Sequence, residues 1–346
     1  MTTQLASDDP TGSFKTHAGY LTALAYLCGY TIFKRDPPAI TALATRIKAE
    51  PSYAATVARP GFDGDQLRRS LDAAWGSELL LAITGTYAPE DLRGVSNTWV
   101  AIQAYYACYH ITQALVIAKG QPRPTSHPKT QKMFVDAWVS PPRNLVPWSL
   151  GAVDKGYRNL PSGHVVDESV HPWAALDAAS AIDLACKALR TTRQDFIVDE
   201  KKNERSKKQK ARRKVWRLKE DERLAKGNKP RKEPTFPLPY LTRSEHTAVE
   251  SRTRAFGVLD YLYRLRIKAQ YEDSTLFSEG PEEPAESLHA YLHLAQIVRS
   301  TLFLHELFIE RIVGRKVLER LVDAWIKRQA SSPVNPLADR RNLILP

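Results

Sequence analysis

The amino-acid sequence predicts an all-α fold. Apolar residues recur at helical spacing in several long segments, whereas convincing period-two strand alternation is absent and no fixed repeat emerges. Prolines and glycines punctuate these segments, so the helix ends can be placed. At 346 residues, with 43% hydrophobic and 25% charged residues, the chain has ample length for a buried core and the composition of a globular protein.

Proline, glycine and capping residues bound the helices expected in the first half of the chain. Pro38 favours a helix start, because the first turn does not need its missing N–H. Ser96 or Asn97 can cap a later helix that stops at Gly120. That helix is apolar on every face, which is typical of a central, buried helix. The expected ranges are 16–31, 38–48, 65–85, 96–119 and, inside a proline-rich stretch, a short helix at 129–138.

The second half begins with an alanine-rich helix expected over 172–192, which can run on into a lysine- and arginine-rich segment as far as Gly227. The stretch from Pro230 to Pro239 is predicted to be a linker. Further helices are expected over 246–272, 284–312 and 315–330. The predicted organisation is therefore an N-terminal helical extension (1–65), a helical bundle (66–192), a basic arm with its linker (193–239) and a C-terminal helical region (240–346).

One segment supplies the basic excess of the chain. The formal net charge is +12, and residues 201–232 alone contain sixteen Lys and Arg against four acids. Such a charge density favours a polyanionic partner bound by counterion release, and Trp216 could stack a base. The alternative is a solvated helix or a disordered loop that binds nothing specific. The predicted nucleic-acid-binding residues are Lys207, Lys208, Lys210, Arg212, Arg213, Lys214, Trp216 and Arg217.

Other classes of protein lack their signatures in this sequence. The cysteines Cys28, Cys108 and Cys186 are scattered and form neither a metal pattern nor a disulfide framework, and no glycine-rich phosphate loop is present. We therefore expect no metal and no cofactor. No run of eighteen uncharged apolar residues exists, and the first ten residues lack a basic start and an apolar core. We accordingly expect no membrane span, no signal peptide and a reducing, cytoplasmic setting.

Three elements occur in an order that resembles the HEPN superfamily of helical-bundle domains, over roughly residues 66–192. The first is a tyrosine-rich helix followed by a glycine, and the second is a Ser-His turn. The third is an arginine, a polar residue and then a histidine after five intervening positions, within the four to six found in RNA-cleaving members. In this sequence they are Tyr105-Tyr106-Ala107-Cys108-Tyr109-His110 with Lys119-Gly120, Ser126-His127-Pro128, and Arg158-Asn159 with His164.

The resemblance implies a metal-independent endoribonuclease that cuts single-stranded RNA at a composite site in a homodimer. In the family such enzymes often act as toxins or antiviral defence effectors. His164 would be the acid or base, because histidine exchanges a proton near neutral pH. Arg158 would offset charge on the phosphate, and Asn159 would orient the phosphate or the histidine.

The alternative is that Arg158 and His164 have no catalytic role. Pro161 and Gly163 place the pair around a turn, whereas the family's motif usually lies in or next to a helix. Arg158 and His164 would then be a surface arginine and a turn histidine without chemistry. The rival function is a non-catalytic nucleic-acid-binding or scaffold subunit of a larger complex, with a protein partner.

The C-terminal half contains two further arginine patterns. Residues 266–271 resemble the Arg-x-x-Ala-polar-Tyr entry to the last helix of non-cleaving HEPN-like domains. This implies either an insertion at 140–245 within one split bundle or a second, degenerate bundle. Arg299 and His305 also have five residues between them. In a continuous helix they would be rotated by about 240° from each other, so a structural role is favoured.

Overall fold

The computed structural model describes residues 10–29, 37–58, 60–173, 175–273 and 275–345. Over these ranges the fold is all-α, with one small hairpin of two short strands. The helices are α1 (Pro10–Leu27), α2 (Pro37–Lys48), α3 (Pro51–Ala54), α4 (Gly64–Tyr87), α5 (Arg93–Ala118), α6 (His127–Phe134), α7 (Ala178–Ala225), α8 (Arg243–Arg252), α9 (Val258–Ile267), α10 (Pro284–Val313), α11 (Arg315–Arg328) and α12 (Pro336–Ile344). The strands are β1 (Gly151–Val153) and β2 (Gly156–Arg158).

The helix α5 lies at the centre of the molecule, as its apolar faces predicted. It packs against α4, α9 and α10, while α1 packs against α7 and α10. The buried side chains form one continuous core that reaches from Phe14 to Leu345. The predicted boundaries at residues 192 and 239 therefore do not separate independent cores. The C-terminal helices α9 and α10 complete the bundle that α4 and α5 begin.

Several helix ends differ from the expected ones for local reasons. The chain does not break at Gly85; α4 continues to Tyr87, and a Cβ at Gly85 would collide with the ring of Tyr291. The helix expected from residue 172 starts at Ala178, because Asp177 caps it. The end expected at residue 31 lies outside the described residues.

The helix expected over 16–31 starts earlier, at Pro10, and the helix expected over 96–119 starts at Arg93. Neither Ser96 nor Asn97 caps the latter, because the preceding turn Glu90–Leu92 leads directly into it. The short helix expected over 129–138 starts at His127 and continues after Phe134 as a π-helical segment. The largest difference concerns the helix expected over 246–272.

That helix is interrupted. α8 ends at Arg252, residues 253–257 are extended or irregular, and α9 begins after Gly257. Arg193 of α7 stabilises the interruption, because its guanidinium donates to the carbonyl oxygens of Glu250, Thr253 and Arg254 at 2.7 to 3.3 Å. The last turn of the predicted helix is a π-helical segment, Lys268–Glu272.

The lysine- and arginine-rich segment is helical, as expected from the sequence. It is the second half of α7, which runs without a break to Ala225. Within the described ranges, no helix has the length and apolar character needed to cross a bilayer.

Candidate functional site

Arg158 ends the second strand of the hairpin. It pairs with Gly151 in the antiparallel register, and the neighbouring Ala152 exchanges two backbone hydrogen bonds with Phe256 before α9. The Arg158 side chain is exposed and makes no hydrogen bond or ion pair with another described residue. The predicted phosphate-binding cation is thus accessible, at the surface of the hairpin.

Asn159 has a structural role. Its backbone is left-handed, with a φ of 56°, a conformation that asparagine tolerates better than most residues. Its side-chain amide donates to the carbonyl oxygens of Val139, Pro141 and Ser149 at 2.9, 3.1 and 3.0 Å. An amide has two N–H groups, and three acceptors already surround them. The amide therefore holds the 139–149 loop, rather than orienting a phosphate or His164 as predicted.

His164 is paired with a carboxylate that the sequence did not single out. Its Nε2 lies 2.7 Å from Oδ1 of Asp183 on α7, and the two side chains are only 13% and 6% exposed. A carboxylate on one ring nitrogen fixes the tautomer and leaves the other nitrogen to exchange a proton. No contact between described residues joins His164 to Arg158. Asp183 lies among alanines on a regular helix, so no spacing in the sequence marks it.

The basic arm, defined here as residues 198–225 of α7, leaves the core. Ile197 is buried, and beyond it Glu220 is the one buried side chain that this helix contributes among the described residues. At 1.5 Å per residue the arm is about 40 Å long. Residues 228–241, which include the predicted linker from Pro230 to Pro239, run back along it without helix or strand. Gln209 donates to the carbonyl oxygen of Phe236, and Arg205 donates to that of Pro239 at 2.9 Å.

The predicted nucleic-acid-binding residues of the arm fall into two groups. Half of them form ion pairs with nearby acids: Lys207 with Glu204, Lys208 with Glu245, and both Arg213 and Arg217 with Glu233. The side chains of Lys210, Arg212 and Lys214 are exposed and have no ion pair with a described residue. Trp216 is half-buried, with its ring 6.4 Å from that of Phe236, so base stacking on it would compete with this packing.

A different constellation unites segments that the sequence analysis treated separately. Arg266 of α9 is 92% buried and lies within 6 Å of four tyrosine rings, which we call the tyrosine cage. The distances from its Cζ to the ring centroids are 5.9 Å (Tyr105), 5.3 Å (Tyr106), 5.9 Å (Tyr263) and 5.9 Å (Tyr271). The tyrosine-rich helix and the Arg-x-x-Ala-polar-Tyr segment thus meet in space.

The Ser-His turn reaches the same place. Nδ1 of His127 lies 2.7 Å from the hydroxyl of Tyr105, and its ring contacts those of Tyr109 and Tyr263 at centroid distances of 4.9 and 5.5 Å. Burial and the nearby Arg266 lower the pKa of His127. The imidazole is therefore neutral at physiological pH, and Tyr105 holds its orientation.

A cavity of about 310 Å³ opens on another side of α9. Its walls come from α1, α7 and α9, and they include His17, Tyr20, Asp195, Arg264 and Lys268. Burial and the cations Lys268 and Arg264 lower the pKa of His17 to about 3, so its ring is neutral. Arg264 pairs with Asp195 at 3.2 Å and with Glu272 at 2.6 Å.

The described residues contain no group of three or more His, Cys, Asp or Glu side chains placed to hold a metal ion. No protein-family model matches the chain, and neither a curated protein nor a solved structure is detectably similar to it.

Proposed function

We propose that the protein binds single-stranded RNA through the basic arm. The observation that carries this proposal is the arm itself: α7 continues past the core and carries cations that lack a carboxylate partner among the described residues. The elements that resemble RNA-cleaving HEPN domains favour RNA over DNA. Cations of this kind attract a polyanion, and binding releases the counterions condensed on it.

One face of the arm presents its cations in a row. Lys207, Lys210 and Lys214 are three and four residues apart, so they lie on one side of the helix. Lys207 is ion-paired with Glu204 at 3.0 Å, but exposed pairs are worth only about 0–1 kcal/mol. Such a pair does not prevent its lysine from binding phosphate. The row lies away from Trp216 and Gln209, the side chains that contact the returning segment.

The test compares two triple variants that remove the same charge. One replaces the row (Lys207, Lys210 and Lys214) with alanine, and the matched control replaces three exposed lysines outside the row, Lys202, Lys219 and Lys226. Fluorescence anisotropy with a 20-nucleotide RNA measures affinity against salt. Each lost phosphate contact on a single strand lowers the salt slope by about 0.7, so the row variant is expected to lose roughly 2 and the control less. Equal slopes in the wild type and the row variant would contradict the proposal.

A second candidate is metal-independent RNA cleavage, and the His164–Asp183 pair favours it. His164 would take the proton from a ribose 2′-hydroxyl, whose oxygen then attacks the adjacent phosphorus. The P–O5′ bond breaks, a 2′,3′-cyclic phosphate forms, and a proton returns to the departing 5′-oxygen. Arg158 would offset the developing phosphate charge, Asp183 would orient the imidazole, and Asn159 would hold the loop. A role as a toxin or defence effector would follow from such activity.

Cleavage is tested in EDTA with total RNA. His164→Ala and Arg158→Ala are expected to abolish cleavage. The control is His246→Ala, which removes an exposed histidine of α8 and should leave cleavage unchanged. Cleavage by all variants, or by none including the wild type, would leave RNA binding as the function and make a non-catalytic or scaffold subunit the better description. Sedimentation of the same samples measures the proposed homodimer.

A further inference from the structure

We infer that Arg266 and the tyrosine cage bind one phosphate of single-stranded RNA, with an adjacent base stacked on a tyrosine ring. The inference rests on the proposed RNA-binding function and adds a second contact site, on the bundle rather than on the arm. It begins from an electrostatic imbalance, because Arg266 is a buried cation with no anionic partner in the part of the chain that the structure describes.

The arginines near Arg266 show how unusual its surroundings are. Arg264, two residues earlier, has two carboxylates, Asp195 and Glu272. Arg254 has Asp260, the buried carboxylate of α9, at 2.5 Å. Arg266 has no ion pair or hydrogen bond with any described residue, and its Nε is buried without a partner. Buried charges are normally paired and hydrogen-bonded, so this guanidinium lacks an anionic acceptor.

A second unsatisfied group lies one turn further along the chain. Oε1 of Gln270 is also buried without a hydrogen-bond partner among the described residues. Between them, Arg266 supplies N–H donors and Gln270 supplies an amide. A phosphate accepts hydrogen bonds from the planar guanidinium fork, and an amide can orient so that its NH₂ group donates and its oxygen accepts from a ribose hydroxyl. A nucleotide carries both kinds of partner, a phosphate for the guanidinium and a ribose hydroxyl for the amide.

The walls of the cage suit a base rather than a bare anion. Tyr271 is 66% exposed although its ring lies 5.9 Å from the guanidinium, and Tyr106 and Tyr263 are half-buried. Tyrosine rings bind unstacked bases by their faces, with little sequence preference. The π-helical turn Lys268–Glu272 holds Tyr271 at this position, with the N–H of Asp273 donating to the carbonyl oxygen of Lys268 at 2.8 Å. Such turns recur at functional sites.

The probe is a hexauridylate, which is too short to cover the arm and the cage together. Its affinity is measured by fluorescence anisotropy for the wild type, Arg266→Gln and Tyr271→Ala. Loss of one stacked base is expected to weaken binding about tenfold, and Arg266→Gln should weaken it at least as much. Arg266→Lys keeps the charge but loses the planar fork, so it should fall between the wild type and Arg266→Gln.

Arg143→Gln is the matched control. Arg143 also lies over aromatic rings, Trp138 and Phe308, and its Nε is buried without a partner, but its Nη1 donates to Ser52. This variant should bind the hexamer as the wild type does. Tyr271→Ala protects the test against misfolding, because an exposed tyrosine can be removed without emptying the core.

Photo-crosslinking with a hexamer that contains 4-thiouridine locates the RNA-binding site independently. Crosslinks are expected at Tyr271 or Tyr106. Unchanged affinity in both Arg266→Gln and Tyr271→Ala, or crosslinks confined to the arm, would overturn the inference. Failure of the arm proposal looks different: the row variant of the arm would bind the 20-nucleotide RNA normally, while the hexamer still distinguished Arg266→Gln from Arg143→Gln.

Discussion

Two buried arginines of this protein have opposite surroundings. Arg340 of α12 has no exposed surface, and its guanidinium donates to Glu306 at 2.7 and 2.8 Å and to Glu78 at 2.7 Å. Trp75 donates to the same Glu306 at 2.8 Å. Arg266 is nearly as buried, and the described residues give it four tyrosine rings but no ion pair and no hydrogen bond. Arg340 has the carboxylates that a buried structural arginine needs, whereas Arg266 has none among the described residues, which is the arrangement that an arginine for an outside anion requires.

The electrostatics of the first group follow from this arrangement. Burial opposes the charge of Arg340, but Glu306 and Glu78 outweigh burial, and together they raise its pKa. Burial also raises the pKa of Glu78, although Arg340 acts against that shift. The group therefore depends on all its members, and removing Arg340 leaves Glu78 and Glu306 buried without the cation that donates hydrogen bonds to them.

The largest expected effect is that of Arg340→Met. Breaking a buried pair by removing one partner costs about 3–5 kcal/mol of the free energy of unfolding. Arg341→Met is the control, because Arg341 forms half-exposed pairs with Glu319 and Asp323, and such pairs contribute about 0–1 kcal/mol. Urea unfolding measures both. Similar losses in the two variants would mean that the buried group is not what holds α12 in place.

Acidification tests two buried histidines, His305 and His17. His305 lies in the core, where Nδ1 is 2.7 Å from the carbonyl oxygen of Thr301 and Nε2 accepts from the indole of Trp138 at 3.0 Å. Protonation of Nε2 would break the second bond, since an indole N–H only donates. Burial lowers the pKa of His305, and likewise that of His17, to about 3 from 6.5.

The sign of the effect on stability follows from these values. In the unfolded chain His305 and His17 take up protons below pH 6.5, whereas in the folded chain they stay neutral down to about pH 3. Their contribution to stability is therefore complete above pH 6.5 and falls as the pH drops towards 3. Each histidine contributes up to about 1.4 kcal/mol per pH unit in that window. Urea unfolding between pH 7 and pH 5 measures the loss. In NMR titrations the chemical shifts of His305 should stay constant over this range. A change in these shifts near pH 6 would contradict a neutral imidazole held by two hydrogen bonds.

Arg266→Met is expected to change stability little. It removes a charge that has no carboxylate partner among the described residues, and replacing such a group with an apolar side chain is close to neutral, within about 1 kcal/mol. Its unfolding free energy, measured beside that of Arg340→Met, tests the comparison itself. A loss as large as that of Arg340→Met would show that the tyrosine rings alone make Arg266 a structural residue.

A similarly small effect concerns the hydroxyl that orients His127. Tyr105→Phe removes one hydrogen bond and should cost about 1 kcal/mol. Tyr271→Phe removes a hydroxyl from an exposed ring and should cost nothing measurable. Thermal unfolding of the two variants reads the difference. Equal melting temperatures would indicate that the bond between Tyr105 and His127 adds no stability.

Much of the fold was predictable from the sequence, because long helices carry local signals. The buried character of α5, the ends of α10 and the helical course of the basic segment follow from periodicity, proline and capping residues. The hairpin at 151–158 did not, since three-residue strands are too short to show alternation. The prediction of one continuous helix over 246–272 was wrong at residues 253–257, because hydrogen bonds from Arg193 of another helix stabilise an interruption there.

The candidate sites were harder to predict for a different reason. Tyr105, His127 and Arg266 were each noticed within their own motifs, but their proximity depends on how α5, α6 and α9 pack. No spacing along the chain encodes a contact between residues 105 and 266. The same holds for Asp183, which became visible only as the partner of His164. Asn159 was assigned to chemistry by its position, whereas its amide holds a loop.

The most direct test of the role assigned to Arg266 is whether RNA stabilises the fold through this arginine and not through Arg143, which also lies over aromatic rings. Unfolding free energies are measured for the wild type, Arg266→Gln and Arg143→Gln, each with and without saturating hexauridylate. A ligand that binds the folded state stabilises it in proportion to the logarithm of its concentration over Kd. We predict equal stabilisation of the wild type and Arg143→Gln, and at least about 1.4 kcal/mol less of Arg266→Gln, because a tenfold weaker Kd lowers the stabilisation by that amount. Equal stabilisation of all three would contradict the assignment of Arg266 as the anion-binding arginine.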